Sequence, residues 1–136
     1  MNEDWRAAEG RGTTRTAHRP WGDIHMLVRN QACSVDLTEV RSGGRASLHV
    51  HAERAELFHI LDASAVLEID GVVHRPELHA EFLIGPGQRH RFWAEQQPWR
   101  MLVICFGHWR AEDQVRLADD YDRPATLDGF DTGAAT

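Results

Sequence analysis

The chain has 136 residues, of which 15 are basic and 21 acidic, giving a net charge of −6, and every basic residue is arginine. The acidic balance argues against a nucleic-acid partner, which would require a basic face, and the absence of lysine excludes Schiff-base chemistry through a lysine amine. No apolar run reaches the roughly 18 residues of a membrane span, and the N-terminal residues lack the apolar core of a signal peptide. We therefore expect a cytoplasmic protein that contacts neither nucleic acid nor membrane.

The length predicts a single domain with a sizeable core. Residues 1–18 are polar and rich in Gly, Thr and Arg, so we expect a flexible N-terminal arm. Residues 19–123 carry the periodic apolar segments and form the predicted domain. Residues 124–136 are small and polar, and we expect them to form a flexible tail.

The middle of the chain predicts short strands separated by turns. In chain order the strand-like segments are CSVDLTEV (33–40), ASLHVH (46–51), ELFHIL (56–61), AVLEIDGVVH (65–74), EFLIGPGQRHRFW (81–93), in which a Gly-Pro-Gly turn separates two strands, and WRMLVICFG (99–107). The Asp-Gly pair in the fourth segment predicts a hairpin. Only AEDQVRLADDY (111–121) has a helical pattern. The sequence therefore predicts an all-β fold, an antiparallel sandwich or barrel, with a short C-terminal helical segment.

A His-x-His pair lies in the second of these segments. Residues two apart in a strand point to the same side, so His49 and His51 project together, and Glu56 follows from the next strand. His90, after the tight turn GPGQ, is the candidate fourth ligand. Three imidazoles and one carboxylate suit a divalent first-row metal such as iron, nickel, manganese, zinc or copper. Taken alone, the pair is also consistent with polar residues on a wet strand face.

These residues also fit the motifs of a known family. The stretch GGRASLHVHAERAE matches the first cupin motif, G-x5-H-x-H-x4-E, with Gly43, His49, His51 and Glu56 in register. The stretch GPGQRH resembles the second motif, with His90 in register. The chain is similar to small cupins, and this resemblance implies a single-domain double-stranded β-helix, or jelly-roll barrel, that binds one divalent metal through those four side chains.

The resemblance narrows at both ends of residues 19–123. RPWG (19–22) and EDQVRLADDYDR (112–123) look like the opening and closing segments of the cupin domain of type II mannose-6-phosphate isomerases, and His90-Arg91 matches that domain's His-Arg pair. That subfamily has glutamine where His49 stands. The opening and closing segments therefore resemble those of the isomerase domain, whereas the ligand set is the three-His, one-Glu type that is commoner among cupins.

Several further side chains are candidates for chemistry beside the metal. Arg91 and Arg54 are predicted to bind a phosphate or carboxylate of a small-molecule substrate. Glu56, a water or His108 is the predicted acid or base that moves a proton, and His108 is also consistent with an exposed loop histidine. The analogy with small cupins also implies a homodimer, formed by sheet packing or by exchange of the N-terminal arm.

Three functions are compatible with such a site. The first is a metal-dependent isomerase, epimerase or lyase that acts on a small sugar-like or carbonyl substrate by Lewis-acid and acid–base chemistry. The second is a dioxygenase that uses iron or nickel in the same ligand set. The third is a binding module without catalysis, because one fold hosts many functions.

Overall fold

Eleven β-strands and one 3₁₀ turn form the regular structure of residues 15–126, the part of the chain that the computed structural model describes. The strands are β1 (Arg15–Arg19), β2 (Gly22–Met26), β3 (Cys33–Val40), β4 (Leu48–His51), β5 (Glu56–Ile60), β6 (Val66–Ile69), β7 (Val72–His74), β8 (Glu81–Ile84), β9 (His90–Trp93), β10 (Trp99–Phe106) and β11 (Gln114–Ala118). The turn spans Ala111–Asp113. No helix of residues 15–126 is long and apolar enough to cross a membrane.

The strands form two large antiparallel sheets and one small hairpin. A four-stranded sheet has the order β3-β10-β5-β8, and a five-stranded sheet has the order β11-β4-β9-β6-β7. Strands β1 and β2 pair with each other. Every pairing is antiparallel. The predicted all-β, antiparallel double-sheet architecture is therefore confirmed.

The core lies between the two large sheets and follows the period of two along each strand. Phe58 lies across from Val103 in the four-stranded sheet, and both are buried against residues of the five-stranded sheet such as Leu67. Trp99 closes one end of this core, where its indole N–H donates to the carbonyl of Trp93 over 2.7 Å. Buried aromatic side chains of this size contribute a large share of the hydrophobic stabilisation.

A second apolar cluster lies on the opposite, outer face of the four-stranded sheet. It contains Leu57, Ile104 and Phe106. The same face continues onto β3, where Val35 and Leu37 are 57% and 56% exposed. Residues two apart in a strand share a face, and for Val35 and Leu37 that face is the outer one.

The Asp70-Gly71 hairpin forms as predicted between β6 and β7. Both residues have positive φ, 49° and 82° respectively, which is the geometry that a two-residue turn of type I′ requires. The Asp70 carboxylate also accepts hydrogen bonds from the Arg89 N–H over 3.1 Å and from the Gln88 side-chain amide over 3.0 Å. The turn therefore supports the loop that leads into β9.

The predicted C-terminal helical segment at 111–121 is wrong. Only the Ala111–Asp113 turn is helical, and it is a 3₁₀ turn. The next residues form β11, an edge strand that pairs with β4, with Val115 across from Val50 and Arg116 across from His49. The unpaired edge of β4 offers this segment a ladder of backbone hydrogen bonds, which outweighs its weak helical pattern.

The two ends of the domain differ in how much the structure describes. Residues 15–18, which we assigned to the arm, form most of β1, whereas residues 1–14 lie outside the described part of the chain. At the other end, Thr126 forms an isolated bridge with Val115. The rest of the predicted tail, from residue 127 onward, also lies outside the described part.

Candidate metal centre

Three histidine side chains meet inside the barrel. His49 and His51 point inward from β4, and His90, the first residue of β9, is the direct cross-strand partner of His49. The ring centroids are 4.3 Å apart for His49 and His90, and 5.1 Å apart for each of the other two pairs. One ring nitrogen from each residue lies within 4.8 Å of the others. This separation allows a single ion to contact all three.

A tight turn fixes where His90 begins its strand. Gly87 has φ 80°, which favours glycine, and its N–H donates to the carbonyl of His51 over 2.8 Å. The Gly85 N–H is held by the Gln88 side-chain oxygen at 2.7 Å. The turn is thus bonded directly to the strand that carries the other two histidines.

Hydrogen bonds to backbone carbonyls set the tautomers of two of the rings. His49 Nδ1 lies 2.9 Å from the carbonyl oxygen of Ser47, and His90 Nδ1 lies 2.9 Å from that of Gln88. A carbonyl oxygen only accepts hydrogen bonds, so Nδ1 carries the proton in each ring and Nε2 keeps its lone pair. Metal-ligating histidines are commonly oriented in this way.

Some of the inward-facing nitrogens have no hydrogen-bond partner among the described residues. His90 Nε2 and His51 Nδ1 are both buried and accept or donate no hydrogen bond within residues 15–126. A buried polar atom without a partner is costly, and a divalent cation would satisfy a lone pair of this kind. The donor set therefore fits a metal ion.

Glu56 supplies a carboxylate to the same cluster from the opposite sheet. It is the first residue of β5, and its Oε1 is in ion-pair contact with His51 Nε2 and accepts from Arg54 Nε over 3.2 Å. Burial by itself opposes ionisation of Glu56, but the contacts with His51 and Arg54 outweigh it and lower the pKa of the carboxyl to about 2. Glu56 is therefore an anion at neutral pH.

The imidazoles of His49 and His90 are neutral under the same conditions. Burial, helped by the neighbouring rings, lowers the pKa of His49 to about 3. Burial likewise lowers the pKa of His90 to about 4, although Glu56 acts in the opposite direction. Metal ligation requires unprotonated nitrogens, and these two have them well below neutral pH.

A cleft of about 840 Å³ connects the cluster to solvent. His49 and Glu56 line it, whereas His51 and His90 lie behind them with 2% and 0% exposure. The other walls come from β3 and the loop after it, from the segment after β10 and from the residues after β11. Those lining residues include Asp36, Thr38, Arg45, Trp109, Tyr121 and Arg123.

Arg54 is the predicted substrate-binding residue that the structure brings to the cleft. Its side chain is 7% exposed and lines the cavity beside Glu56. One terminal nitrogen donates to the carbonyl of Arg110 over 2.9 Å, and the guanidinium lies 5.6 Å from the ring centroid of Trp109. These contacts hold a buried positive charge next to the metal cluster.

Arg91 and His108 are not brought to the cluster. Arg91 follows His90 in β9 and therefore points to the other side of the sheet, where it donates to the carbonyl of Ala46 over 3.0 and 3.2 Å. His108 is exposed just after β10, and neighbouring Trp109 lines the cleft in its place. Neither residue is among those that line the cleft.

Sequence reasoning missed the polar residues of β3. Asp36 lies across from Val103, so both face the core side, and Thr38 lies across from inward-facing Met101. The strict alternation of CSVDLTEV places Asp36 and Thr38 on the face opposite to Val35 and Leu37. Apolar residues usually mark the core side of a strand, but in β3 they lie on the outside, so the polar face was not recognised as the inner one.

Cys105 is a further cleft residue, in the cross-strand row of Glu56. Burial, with a smaller effect from Glu56, raises the pKa of its thiol to about 12. The thiol therefore lines the cleft as a neutral group.

Comparison with solved structures defines the class of fold. A cupin-2 domain from Rhodospirillum rubrum matches with a TM-score of 0.57 at 15% identity, over 80% of this chain and 76% of that one. A dTDP sugar isomerase from Desulfovibrio desulfuricans G20 matches with a TM-score of 0.60 at 16% identity, over 79% and 82%. The fold is that of a cupin, as the two sequence motifs predict.

Comparison of sequences defines the family more closely. Residues 7–120 match the family described as mannose-6-phosphate isomerase C-terminal, and the chain belongs to this family. A mannose-1-phosphate guanylyltransferase from Klebsiella pneumoniae is 28% identical over 111 residues, which is 80% of this chain and 24% of that relative. The chain thus spans about a quarter of the length of this curated relative.

Proposed function

We propose that the protein is a metal-dependent enzyme of the isomerase, epimerase or lyase type, acting on a small oxygenated substrate that carries a carboxylate or phosphate. One observation carries this proposal: three buried imidazoles and an ionised carboxylate converge at the inner end of an open cleft. Family membership and the fold shared with a sugar isomerase support the same reaction class.

The ligands in this proposal are His49, His51, His90 and Glu56. Three imidazole nitrogens and one carboxylate oxygen suit zinc, iron, nickel or manganese. A divalent ion bound there would supply a Lewis acid for adjacent hydroxyl and carbonyl oxygens of the substrate. Since His49 and Glu56 face the cleft, the substrate would approach from their side.

Arg54 is the proposed anchor for the anionic group of the substrate. A guanidinium makes charge-assisted hydrogen bonds to carboxylates and phosphates, and Arg54 is one of the residues that line the cleft. Its contacts with Glu56 and the Arg110 carbonyl fix its orientation before the substrate binds. Such preorganisation reduces the entropy lost on binding.

Asp36 is a better candidate for proton transfer than the two residues predicted from sequence. Glu56 has a pKa of about 2, which makes its carboxylate a weak base at neutral pH. His108 does not line the cleft, whereas Asp36 does so from β3. We therefore assign Asp36 to removing a proton from the carbon beside the carbonyl and returning it to the adjacent carbon.

Hydrogen–deuterium exchange into candidate substrates tests this function even when the product has not been identified. The metal-loaded protein is incubated in D₂O with aldose and ketose phosphates and with α-hydroxycarbonyl acids, and loss of C–H signals is followed by proton NMR. We expect one substrate class to exchange. Asp36→Asn should slow the exchange by roughly 10²-fold or more while leaving the metal content unchanged.

Other results would overturn the assignment. Substrate-dependent oxygen consumption by an iron or nickel form, without proton exchange, would make the protein a dioxygenase. Failure to take up any divalent metal would remove the catalytic proposal altogether and favour a binding role.

A further inference from the structure

A single buried residue outside the cluster holds the loop that joins two of the proposed metal ligands. We name residues 52–55 the ligand loop, because it connects His51 at the end of β4 with Glu56 at the start of β5. These two strands belong to different sheets. The path of the ligand loop therefore sets the distance between the two ligands.

Asp113 binds three consecutive N–H groups of this loop. Its backbone carbonyl accepts from the Ala52 N–H over 3.0 Å. Its carboxylate accepts from the Glu53 N–H over 2.8 Å with one oxygen, and from the Arg54 N–H over 3.0 Å with the other. The residue is only 6% exposed, so these bonds are shielded from competition by water.

The surrounding contacts give Asp113 a fixed position. The next residue, Gln114, pairs with His51 at the start of the β11–β4 ladder. On the other side, the Asp113 N–H donates to the Arg110 carbonyl over 3.2 Å, and the Arg110 side chain forms an ion pair with Glu53 over 2.6 Å. The ligand loop is thus bonded to a segment more than fifty residues away in sequence.

We propose that Asp113 is a positioning residue for the metal centre, which holds the ligand loop so that His51 and Glu56 converge on one ion and Arg54 stays against Glu56. This inference rests on the proposed metal site. Losing the carboxylate would leave the partly buried Glu53 N–H and the buried Arg54 N–H without an acceptor, and the loop would relax away from its present path. Metal ligands tolerate displacements of only about 0.2 Å before geometry suffers.

The test uses Co²⁺ as a spectroscopic probe of the site. Asp113→Asn keeps the shape of the side chain but replaces one acceptor oxygen with an NH₂ group, which faces a backbone N–H. We expect Co²⁺ affinity to fall by about 10- to 100-fold, as for other partners of metal ligands, and the visible Co²⁺ absorption bands to change in position or intensity. A change in these bands reports ligand geometry and would not follow from a general loss of stability.

Asp62→Asn is the matched control. Asp62 also accepts from a backbone N–H, that of Arg100, over 2.9 Å, but it lies away from the cleft. This variant should leave Co²⁺ affinity and spectrum unchanged. If Asp113→Asn binds Co²⁺ within about threefold of the unmodified chain and with the same spectrum, the positioning role is wrong.

Two further outcomes separate this inference from the proposed function. If the unmodified chain binds no Co²⁺, the metal site fails, and the inference fails with it. If Asp113→Asn does not fold, amide hydrogen exchange of the unmodified chain decides the matter. Slow exchange at Ala52, Glu53 and Arg54 supports the role, whereas exchange at the rate of an unstructured peptide overturns it.

Discussion

His49 and His90 show how burial prepares a metal site before any metal binds. Each ring donates its Nδ1 proton to a carbonyl, and each has a pKa far below the ordinary value of 6.5. The rings therefore enter the folded state as neutral ligands. Because the folded protein keeps both rings neutral, lowering the pH should reduce its free energy of unfolding.

The metal-free protein should lose stability as the pH falls below about 6.5. The unfolded chain takes up protons on His49 and His90 near that value, whereas the folded protein resists them down to about pH 3 and 4 respectively. Stability is thus present above pH 6.5 and declines below it, by roughly 2 kcal/mol per histidine at about pH 5. Glu56, with its lowered pKa, adds a loss in the same direction only below about pH 4.5.

Urea unfolding of the chelator-treated protein at several pH values measures this effect. The free energy of unfolding should be nearly constant above neutral pH and fall steadily towards pH 5. The slope should be smaller in His49→Gln. An unfolding midpoint that does not change between neutral pH and about pH 5 would show that the two rings are not buried as neutral groups.

The guanidinium of Arg54 should bind an anionic group in the cleft. Replacing it with glutamine removes the cationic group beside the cluster but leaves the four metal ligands in place. We expect Arg54→Gln to bind inorganic phosphate at least about tenfold more weakly than the unmodified metal-loaded protein. Isothermal titration measures this affinity. Arg89→Gln, an exposed arginine outside the cleft, is the matched control, and equal losses in both variants would contradict the assignment.

The strand elements differ in how far the sequence determines them. The β6–β7 hairpin was predictable because its turn chemistry is local, and the convergence of His49 and His51 was predictable because a strand has a period of two. The strand β11 was not, because its partner β4 is far away in sequence. The inner face of β3 was missed for a related reason: Val35 and Leu37 are apolar, but the tertiary structure turns them outward.

Substitutions of Gly71 test whether the turn between β6 and β7 has the predicted geometry. A Cβ at this position would meet no atom within 4 Å, so the cost of adding one comes from the backbone conformation at φ 82°. Gly71→Ala should lower the free energy of unfolding by about 1 kcal/mol. Gly71→Asn should lose less, because asparagine adopts this conformation more readily. Equal stability of the alanine variant and the unmodified chain would contradict the turn geometry.

On the scale of the whole molecule, residues 15–126 leave one face of the barrel incompletely covered. Val35 and Leu37 are more than half exposed on the outer face of the four-stranded sheet. The β1–β2 hairpin pairs with no other described strand, and Trp21 at its turn is 74% exposed. An isolated hairpin is marginally stable in water. We propose that this face and the hairpin pack against a second copy of the chain, forming a homodimer.

Light scattering coupled to size-exclusion chromatography measures the assembly. The unmodified chain should have the mass of a dimer, and Val35→Arg should shift it towards the monomer because it introduces a charge into an apolar contact. Val73→Arg, at a similarly exposed valine on the edge strand β7, should leave the dimer intact. A monomeric mass for the unmodified chain at all accessible concentrations would contradict the proposal.

The central claim is that His49, His51, His90 and Glu56 form one divalent metal site, and a titration of metal stoichiometry tests it most directly. The metal-free protein is titrated with Zn²⁺ against a chromophoric chelator of known affinity, beside His90→Ala and the control His59→Ala, whose histidine contacts Glu81 and His79 instead. We predict one tight Zn²⁺ per chain, a loss of affinity of at least about tenfold in His90→Ala, and no loss in the control. Absence of stoichiometric binding, or unchanged affinity in His90→Ala, would contradict the account.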